Sequence, residues 1–399
     1  MPKKDKESLS CLSCGLRDQD HIVHGKIEPY GLGKKGILVI GEAPGSVENK
    51  RGLPWQGQTG RLLQRTMAKL GIDLFEDCVS VNAVNCQPYK LRAPKPFEID
   101  CCRAVMVEDA IDAVNYPHGP KVIILLGTVA IQSFLSPRWP SDLGGIMKWR
   151  GFTIPDRDYG CWVVPAYHPS YVSRIDSREA NTVWEQDLAR AIACADKPFP
   201  KFPEPSIQYI EDLDVLNSFH ELPEIAFDYE TTGLKSHKKG HRIVCASIAV
   251  GPSLVYAFML PPTKAERKPF IDLLMDHKVG KMAHNMKFEL AWTQNRLRTE
   301  VQNWQWDSML AAHIIDNRSG TTGLKFQTYV NFGVIDYSSE ITPYLRSDGT
   351  GNGFNKIMDL VEEEGGKEKL LKYCALDSHY EYNLAKSQME LLGYSYLPF

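Results

Sequence analysis

Three groups of residues carry chemistry in their types and spacing. In Phe227-Asp-Tyr-Glu-Thr-Thr-Gly233, Asp228 and Glu230 stand two apart. On a strand alternate side chains share a face, so both carboxylates point the same way and repel unless a cation binds them. Tyr373-Cys-Ala-Leu-Asp377 sets a phenol and a carboxylate four apart, on one face of a helix. His284-Asn-Met-Lys-Phe-Glu289 spaces Asn285 and Glu289 in the same way. The second group is sulfur: Cys11-Leu-Ser-Cys14, then Cys86 and the adjacent Cys101 and Cys102. Four thiolates suit either a zinc ion or an iron–sulfur cluster, and spacing alone does not decide. The third is Gly41-Glu-Ala-Pro-Gly45, Glu48, Trp55, Asn82 and His168, which supplies acids, an aromatic face, an amide that both donates and accepts, and an imidazole.

The elements that position these groups are legible in part. Gly36–Gly41 and Lys121–Gly127 are short apolar runs bounded by glycine, as expected of parallel strands buried on both faces. Thr59 is expected to cap a helix with Leu62, Leu63, Met67 and Leu70 at helical spacing. Strand–loop–helix order implies an α/β domain with its site at the carboxyl ends of the strands. Further on, Ile225–Glu230, Arg242–Val250 and Leu254–Leu260 read as strands, the last two joined through Gly251-Pro252-Ser253. Helical patterns follow from about Lys264, suggesting a mixed sheet covered by helices. Between the two halves, Pro198, Pro200, Pro203 and Pro205 mark a stiff extended linker. The expected layout is a first domain over 1–195, a linker over 196–207 and a second domain over 208–399.

Composition excludes several classes. Hydrophobic residues make up 43% and charged residues 24% of 399, as in a folded chain of two or three domains. No apolar run is long enough to span a bilayer, and the start MPKKDKESLS has no apolar region behind it, so neither a membrane span nor a secretory signal is expected. A reducing cytoplasm follows, with the ten cysteines as thiols or metal ligands. The net charge of −3 divides into +2 over residues 1–195 and −5 over the remainder. Neither value alone argues for nucleic acid.

From Cys11 to Arg174 the motifs resemble the iron–sulfur uracil-DNA glycosylases of families 4 and 5. The resemblance rests on Gly41–Gly45, Glu48, Gly52-Leu-Pro-Trp-Gln-Gly57, Asn82, Cys86, Arg92 to Glu98, and His168-Pro-Ser-Tyr171, in that order. It implies a [4Fe–4S] cluster held by Cys11, Cys14, Cys86 and Cys102, with Cys101 the alternate. It implies that a flipped base is read in a pocket. Trp55 would stack on the base, where the family usually has Phe, and Asn82 would meet the O4 and N3 edge of uracil. His168 would donate toward the O2 that takes up charge as the glycosidic bond breaks. Glu42 would orient water, Glu48 is a second acidic candidate, and Gly41 allows close approach. The segment Asn82-Ala-Val-Asn-Cys86-Gln lacks two basic residues of the family pattern.

From Ile225 to Leu392 the chain resembles the DEDD-type 3'-5' exonucleases of the tyrosine subclass, as found ahead of family A DNA polymerases. Trp306-Asp-Ser-Met-Leu-Ala-Ala312 fits the same pattern. The resemblance implies a ribonuclease H-like fold and two Mg²⁺ or Mn²⁺ ions on Asp228, Glu230 and Asp377. Tyr373 would orient the attacking water, and Asn285 would support the site or contact the terminal nucleotide. Glu289 stands where the family usually has Asp; its extra methylene moves the carboxylate by about 1.5 Å, within reach of rotamer adjustment. The basic loop Lys235-Ser-His-Lys-Lys-Gly-His241 is either a phosphate contact or a solvated turn.

The fold expectation is therefore α/β, a uracil-DNA glycosylase-like α/β/α domain followed by a ribonuclease H-like exonuclease domain. The functional expectation is DNA processing on uracil-containing DNA and single-stranded 3' ends. Polymerase palm and fingers would need several hundred more residues, so the chain is expected to be a proofreading subunit of a separately encoded polymerase or a truncated polymerase, cytoplasmic and in the host if phage-encoded. The alternatives are a front domain that only binds DNA or docks a polymerase, and a stand-alone repair nuclease.

Overall fold

The computed structural model describes residues 9–114, 118–347 and 353–394. The chain divides into two compact units, one running to Pro200 and taking in Val330–Ile335, the other beginning at Lys201 and resuming at Asp336. Residues 197–205 form no helix or strand, and the second unit's first strand begins at Ser206, just inside the expected linker.

The first unit is built on five strands: β1 (Ile37–Gly41), β2 (Cys78–Asn82), β3 (Val122–Leu126), β4 (Ile154–Asp156) and β5 (Cys161–Ala166). Their order is β2-β1-β3-β5-β4, parallel except at the β4–β5 edge. Every residue of β1, β3 and β5 is buried, because helices cover both faces. Ile37, Val39, Ile124 and Val164 pack with Leu63 and Met67 of helix Gln58–Lys69 and with Trp184 and Leu188 of helix Arg178–Cys194. Thr59 does not cap Gln58–Lys69. Gly57 holds the cap position, and its N–H is taken by Glu48 Oε1 at 2.7 Å, so the helix start is fixed from outside the helix.

The second unit contains β6 (Ser206–Tyr209), β7 (Glu224–Thr231), β8 (Ile243–Ala249), β9 (Leu254–Met259), β10 (Gly280–Ala283) and β11 (Trp304–Asp307), ordered β11-β10-β7-β8-β9-β6. β8 is antiparallel to β7 and β9, and the other pairings are parallel, so the sheet is mixed. β10 and β11 lie inside the stretch expected to be helical. At four residues each, Gly-Lys-Met-Ala and Trp-Gln-Trp-Asp are too short to display a period of two. The helix Gly366–Leu391 buries Leu370, Tyr373, Cys374, Asp377 and Glu381 along one stripe, at spacings of three and four. No helix among the described residues is long and apolar enough to cross a membrane.

Candidate functional sites

The first site grows from the carboxyl ends of β1 and β2, where Gly41 and Asn82 are register partners. Asn85 clamps the Asn82 backbone: the Asn82 N–H donates to Asn85 Oδ1 at 3.0 Å, and Asn85 Nδ2 donates to the Asn82 carbonyl at 2.7 Å. The Asn82 side chain lines a cavity of about 380 Å³ and has no hydrogen-bond partner among the described residues. Trp55 enters the same cavity with left-handed backbone (φ 57) and an indole ring 5.8 Å from the His168 imidazole. Gly41 is the floor. A β-carbon there would stand 2.4 Å from Asn82 Oδ1 and 2.8 Å from Trp55 Cζ2, so only glycine admits both side chains.

His168 caps the helix Pro169–Ile175, and its Nδ1 accepts the Ser170 N–H at 3.2 Å. A ring nitrogen that accepts from a backbone amide carries no proton, so Nε2 is the N–H that remains to donate. Burial, helped by Arg174, pulls the His168 pKa down to about 4, which keeps the ring neutral at physiological pH. Burial raises the Glu42 carboxyl, and Arg174 opposes that shift. Glu48 is committed differently: its Oε1 takes the Gly57 N–H, and its Oε2 would stand 2.8 Å from a β-carbon on Gly45, so glycine there leaves room for its carboxylate. Arg92 and Arg174 also line the cavity and bring positive charge that the residue types alone had not indicated.

The thiols gather at a second place. Cys11 and Cys14 share one helical turn, started by the reciprocal Ser10–Ser13 capping box and stopped by Gly15 at φ 68. Cys101 and Cys102 end the helix Pro96–Cys102, which opens on Pro96 and is anchored by Glu98. Glu98 takes the Lys95 N–H at 2.8 Å and a two-pronged contact from Arg92, which holds its carboxyl below the usual range despite burial. A π-helical stretch, Arg103–Val107, follows at once. All five of Cys11, Cys14, Cys86, Cys101 and Cys102 border one cavity with Leu16 and Met106, and none is in a disulfide. Burial pushes the Cys86 and Cys102 thiols up to about 12, and the Cys86 thiolate is further opposed by Cys102, Cys14 and Cys11. Desolvated thiols that raise one another fit a cationic group that binds them as thiolates.

The third site lies on β7 and the helix Gly366–Leu391. One carboxylate oxygen each from Asp228, Glu230 and Asp377 falls within 4.8 Å of the others. The ladder aligns Asp228 with Ser247 and Glu230 with Cys245. Ser247 Oγ donates to the Cys374 carbonyl at 2.7 Å, which fixes the helix, and with it Asp377, against the strands. Burial raises Asp228 and Glu230 well above the carboxylate range, and Asp377 adds to the rise at Asp228. Tyr373 stays a neutral phenol, held by burial and by the three carboxylates. The three carboxyls fit divalent cations, because bound positive charge would offset the burial and repulsion that favour the protonated forms of Asp228 and Glu230.

Lys325, Tyr337 and Glu381 at this site were not anticipated, whereas Glu289 and Asn285 were. Lys325 Nζ bonds Asp377 Oδ1 and lies 4.3 Å from the centre of the Tyr373 ring. The Tyr337 hydroxyl donates to the same oxygen at 2.6 Å. Glu381, one turn beyond Asp377, is buried with Oε1 unpartnered, and Glu289 is buried with Oε2 unpartnered. Asn285 starts the helix Met286–Trp292 at φ 73, and its backbone N–H donates to Asp307 Oδ1 at 3.2 Å. Asp307 also takes the N–H groups of Met286, Met309 and Leu310, so it caps two helices. Glu381 follows Asp377 by four residues and was open to the same helical argument that paired Tyr373 with Asp377. Lys325 and Tyr337 lie 52 and 40 residues from Asp377, and no spacing rule reaches them.

Known proteins are similar to both units. Residues 29–190 match the uracil DNA glycosylase superfamily, and residues 207–392 match a 3'-5' exonuclease domain model. The type-4 uracil-DNA glycosylase of Thermotoga maritima is 33% identical over 182 residues, which are 45% of this chain and 87% of that protein. The DNA polymerase of Bacillus phage SP01 is 23% identical over 323 residues, 72% of this chain and 33% of that protein. Among solved structures, Brucella melitensis NrnC is similar at 18% identity and a TM-score of 0.35, covering 49% of this chain and 85% of that one.

Proposed function

Because the chain belongs to the uracil-DNA glycosylase superfamily through its first unit and carries a 3'-5' exonuclease domain in its second, we propose that it removes uracil from DNA at one site and digests single-stranded 3' ends at the other. The observation that carries the exonuclease reading is the convergence of Asp228, Glu230 and Asp377 beside a neutral Tyr373. Bound there, two Mg²⁺ or Mn²⁺ ions supply Lewis acidity and neutralise charge on the scissile phosphodiester. Asp228, Glu230 and Asp377 hold the ions. The Tyr373 hydroxyl orients the attacking water, Glu289 is the fourth acid, whose charge acts on Asp228, and Asn285 meets the terminal nucleotide. Lys325 balances part of the acidic charge and leaves a deficit that divalent ions fill.

For the first unit, the pocket offers an unpartnered Asn82 amide to the uracil edge and the His168 Nε2–H to the oxygen that gathers charge as the base leaves. Trp55 supplies the stacking face, Glu42 positions water, and Glu48 shapes the loops. The cluster reading is [4Fe–4S] on Cys11, Cys14, Cys86 and Cys102. Cys102 is preferred from the family pattern, with Cys101 the alternate, and both border the thiol cavity. Bound, the cluster ties the N-terminal turn to the segment after β2. The similarity to a phage DNA polymerase over a third of that protein's length supports a proofreading role in DNA synthesis.

The test is digestion of a labelled single strand with added Mg²⁺ or Mn²⁺. The wild-type chain shortens the strand from its 3' end, and D228A/E230A stops this by at least about 10³-fold, as loss of an ion-binding pair implies. Undiminished digestion by the double variant would refute the assignment.

A further inference from the structure

The basic loop after the first acidic motif leads into a cleft of about 380 Å³ in the second unit, bordered by His241, Arg242, Arg267, Arg296 and Met358. Among the described residues no acidic residue borders it, although residues 196–399 carry a net charge of −5, so the positive lining runs against the charge of its own half. Among the described residues none of the three arginines meets a carboxylate. Arg242 reaches the Met358 thioether at 3.2 Å, Arg267 donates to the Pro261 and Pro262 carbonyls, and Arg296 donates to the Lys238 carbonyl. Two nitrogens are buried with no partner, Arg296 Nε and His241 Nε2, and the His241 ring is held in place by stacking on Phe354 at 4.3 Å. Burial lowers the Arg267 pKa, and the nearby Glu266 opposes that shift only in part.

Guanidinium groups that meet carbonyls and a thioether rather than carboxylates keep their positive charge uncompensated, which suits phosphate oxygens. The position suits a strand being digested. The Thr232 N–H donates to the Arg242 carbonyl at 3.1 Å, and Thr232 lies two residues beyond Glu230 on the same chain, roughly 7 Å along a strand. The loop that supplies Lys235 and Lys239 is moored to the far side by Asn295, whose Nδ2 donates to Ser236 Oγ at 3.0 Å.

We propose that this cleft binds the phosphodiester backbone of single-stranded DNA and guides that strand to the acidic centre. The inference rests on the exonuclease reading of that centre. It is tested by binding of a labelled oligothymidylate to the full chain in Ca²⁺, with salt titrated. R242Q/R296Q is expected to weaken binding and to flatten the slope of log affinity against log salt by roughly 0.7 per arginine removed. R242K/R296K, which keeps the charge, is expected to retain the slope. Arg242 is exposed, so R242Q alone reads half the change if the double variant fails to fold. An unchanged slope in the glutamine variants, or an equal flattening in the lysine variant, overturns the proposal. Binding is read without turnover, so a chain that binds normally yet never digests DNA counts against the exonuclease reading and not against the cleft.

Discussion

At Gly41 the absence of a side chain shapes the cavity. Asn82 and Trp55 both lean over its α-carbon, and the clearances of 2.4 and 2.8 Å leave no room for a methyl group. Gly41→Ala must push one of them out of the cavity. We expect it to abolish abasic-site formation on uracil-containing DNA while costing about 1–3 kcal/mol of stability, the usual range for overpacking. Excision is measured in chelator and stability by thermal melting. An alanine variant that excises uracil at the wild-type rate would show that Asn82 and Trp55 do not read the base together. His168 is a different case, because its role follows from what its other nitrogen does. With Nδ1 engaged by the Ser170 amide, the proton resides on Nε2, and burial keeps the ring neutral.

At the scale of elements, β7 and the helix Gly366–Leu391 force three carboxyls together, and without cations that proximity opposes folding. A carboxyl whose pKa is raised in the fold binds more protons folded than unfolded between the two values. Without metal, stability is therefore greatest below the ordinary carboxylate pKa and declines as pH rises through the folded one. Asp228→Asn removes one of the opposed charges. At neutral pH in chelator it should melt above the wild type by about 2–4 °C for each kcal/mol relieved, and gain less from added Mn²⁺. A variant that melts lower in chelator and gains as much from Mn²⁺ would mean that Asp228 is neither strained nor a ligand. Much of this centre was legible in the sequence. Asp228 with Glu230 obeys the strand period, and Tyr373 with Asp377 obeys the helix period. Lys325 and Tyr337 obey neither, since the fold brings them to Asp377 from a separate helix and loop. The strands β10 and β11 escaped because four residues hold too little alternation to outweigh the helical pattern around them.

On the scale of the whole molecule, each unit has its own sheet, core and site. The thiol cavity and base pocket draw only on residues of the first unit, and the acidic centre and arginine cleft only on residues of the second. The glycosylase and nuclease motifs were recoverable from sequence because each sits at the end of a strand or on one helical turn. The arginine cleft was not, because Arg242, Arg267 and Arg296 come from three separate segments and only the loop before Arg242 stands out by composition. Separate sites imply separable activities. The most direct measurement uses one labelled single strand with an internal uracil, assayed in chelator for abasic sites and in Mg²⁺ for shortening from the 3' end. The account predicts that the wild type does both, that D228A/E230A keeps excision and loses shortening, and that Asn82→Ala with His168→Ala does the reverse. Loss of both activities in either folded variant, or a wild type that leaves uracil in place, would contradict it.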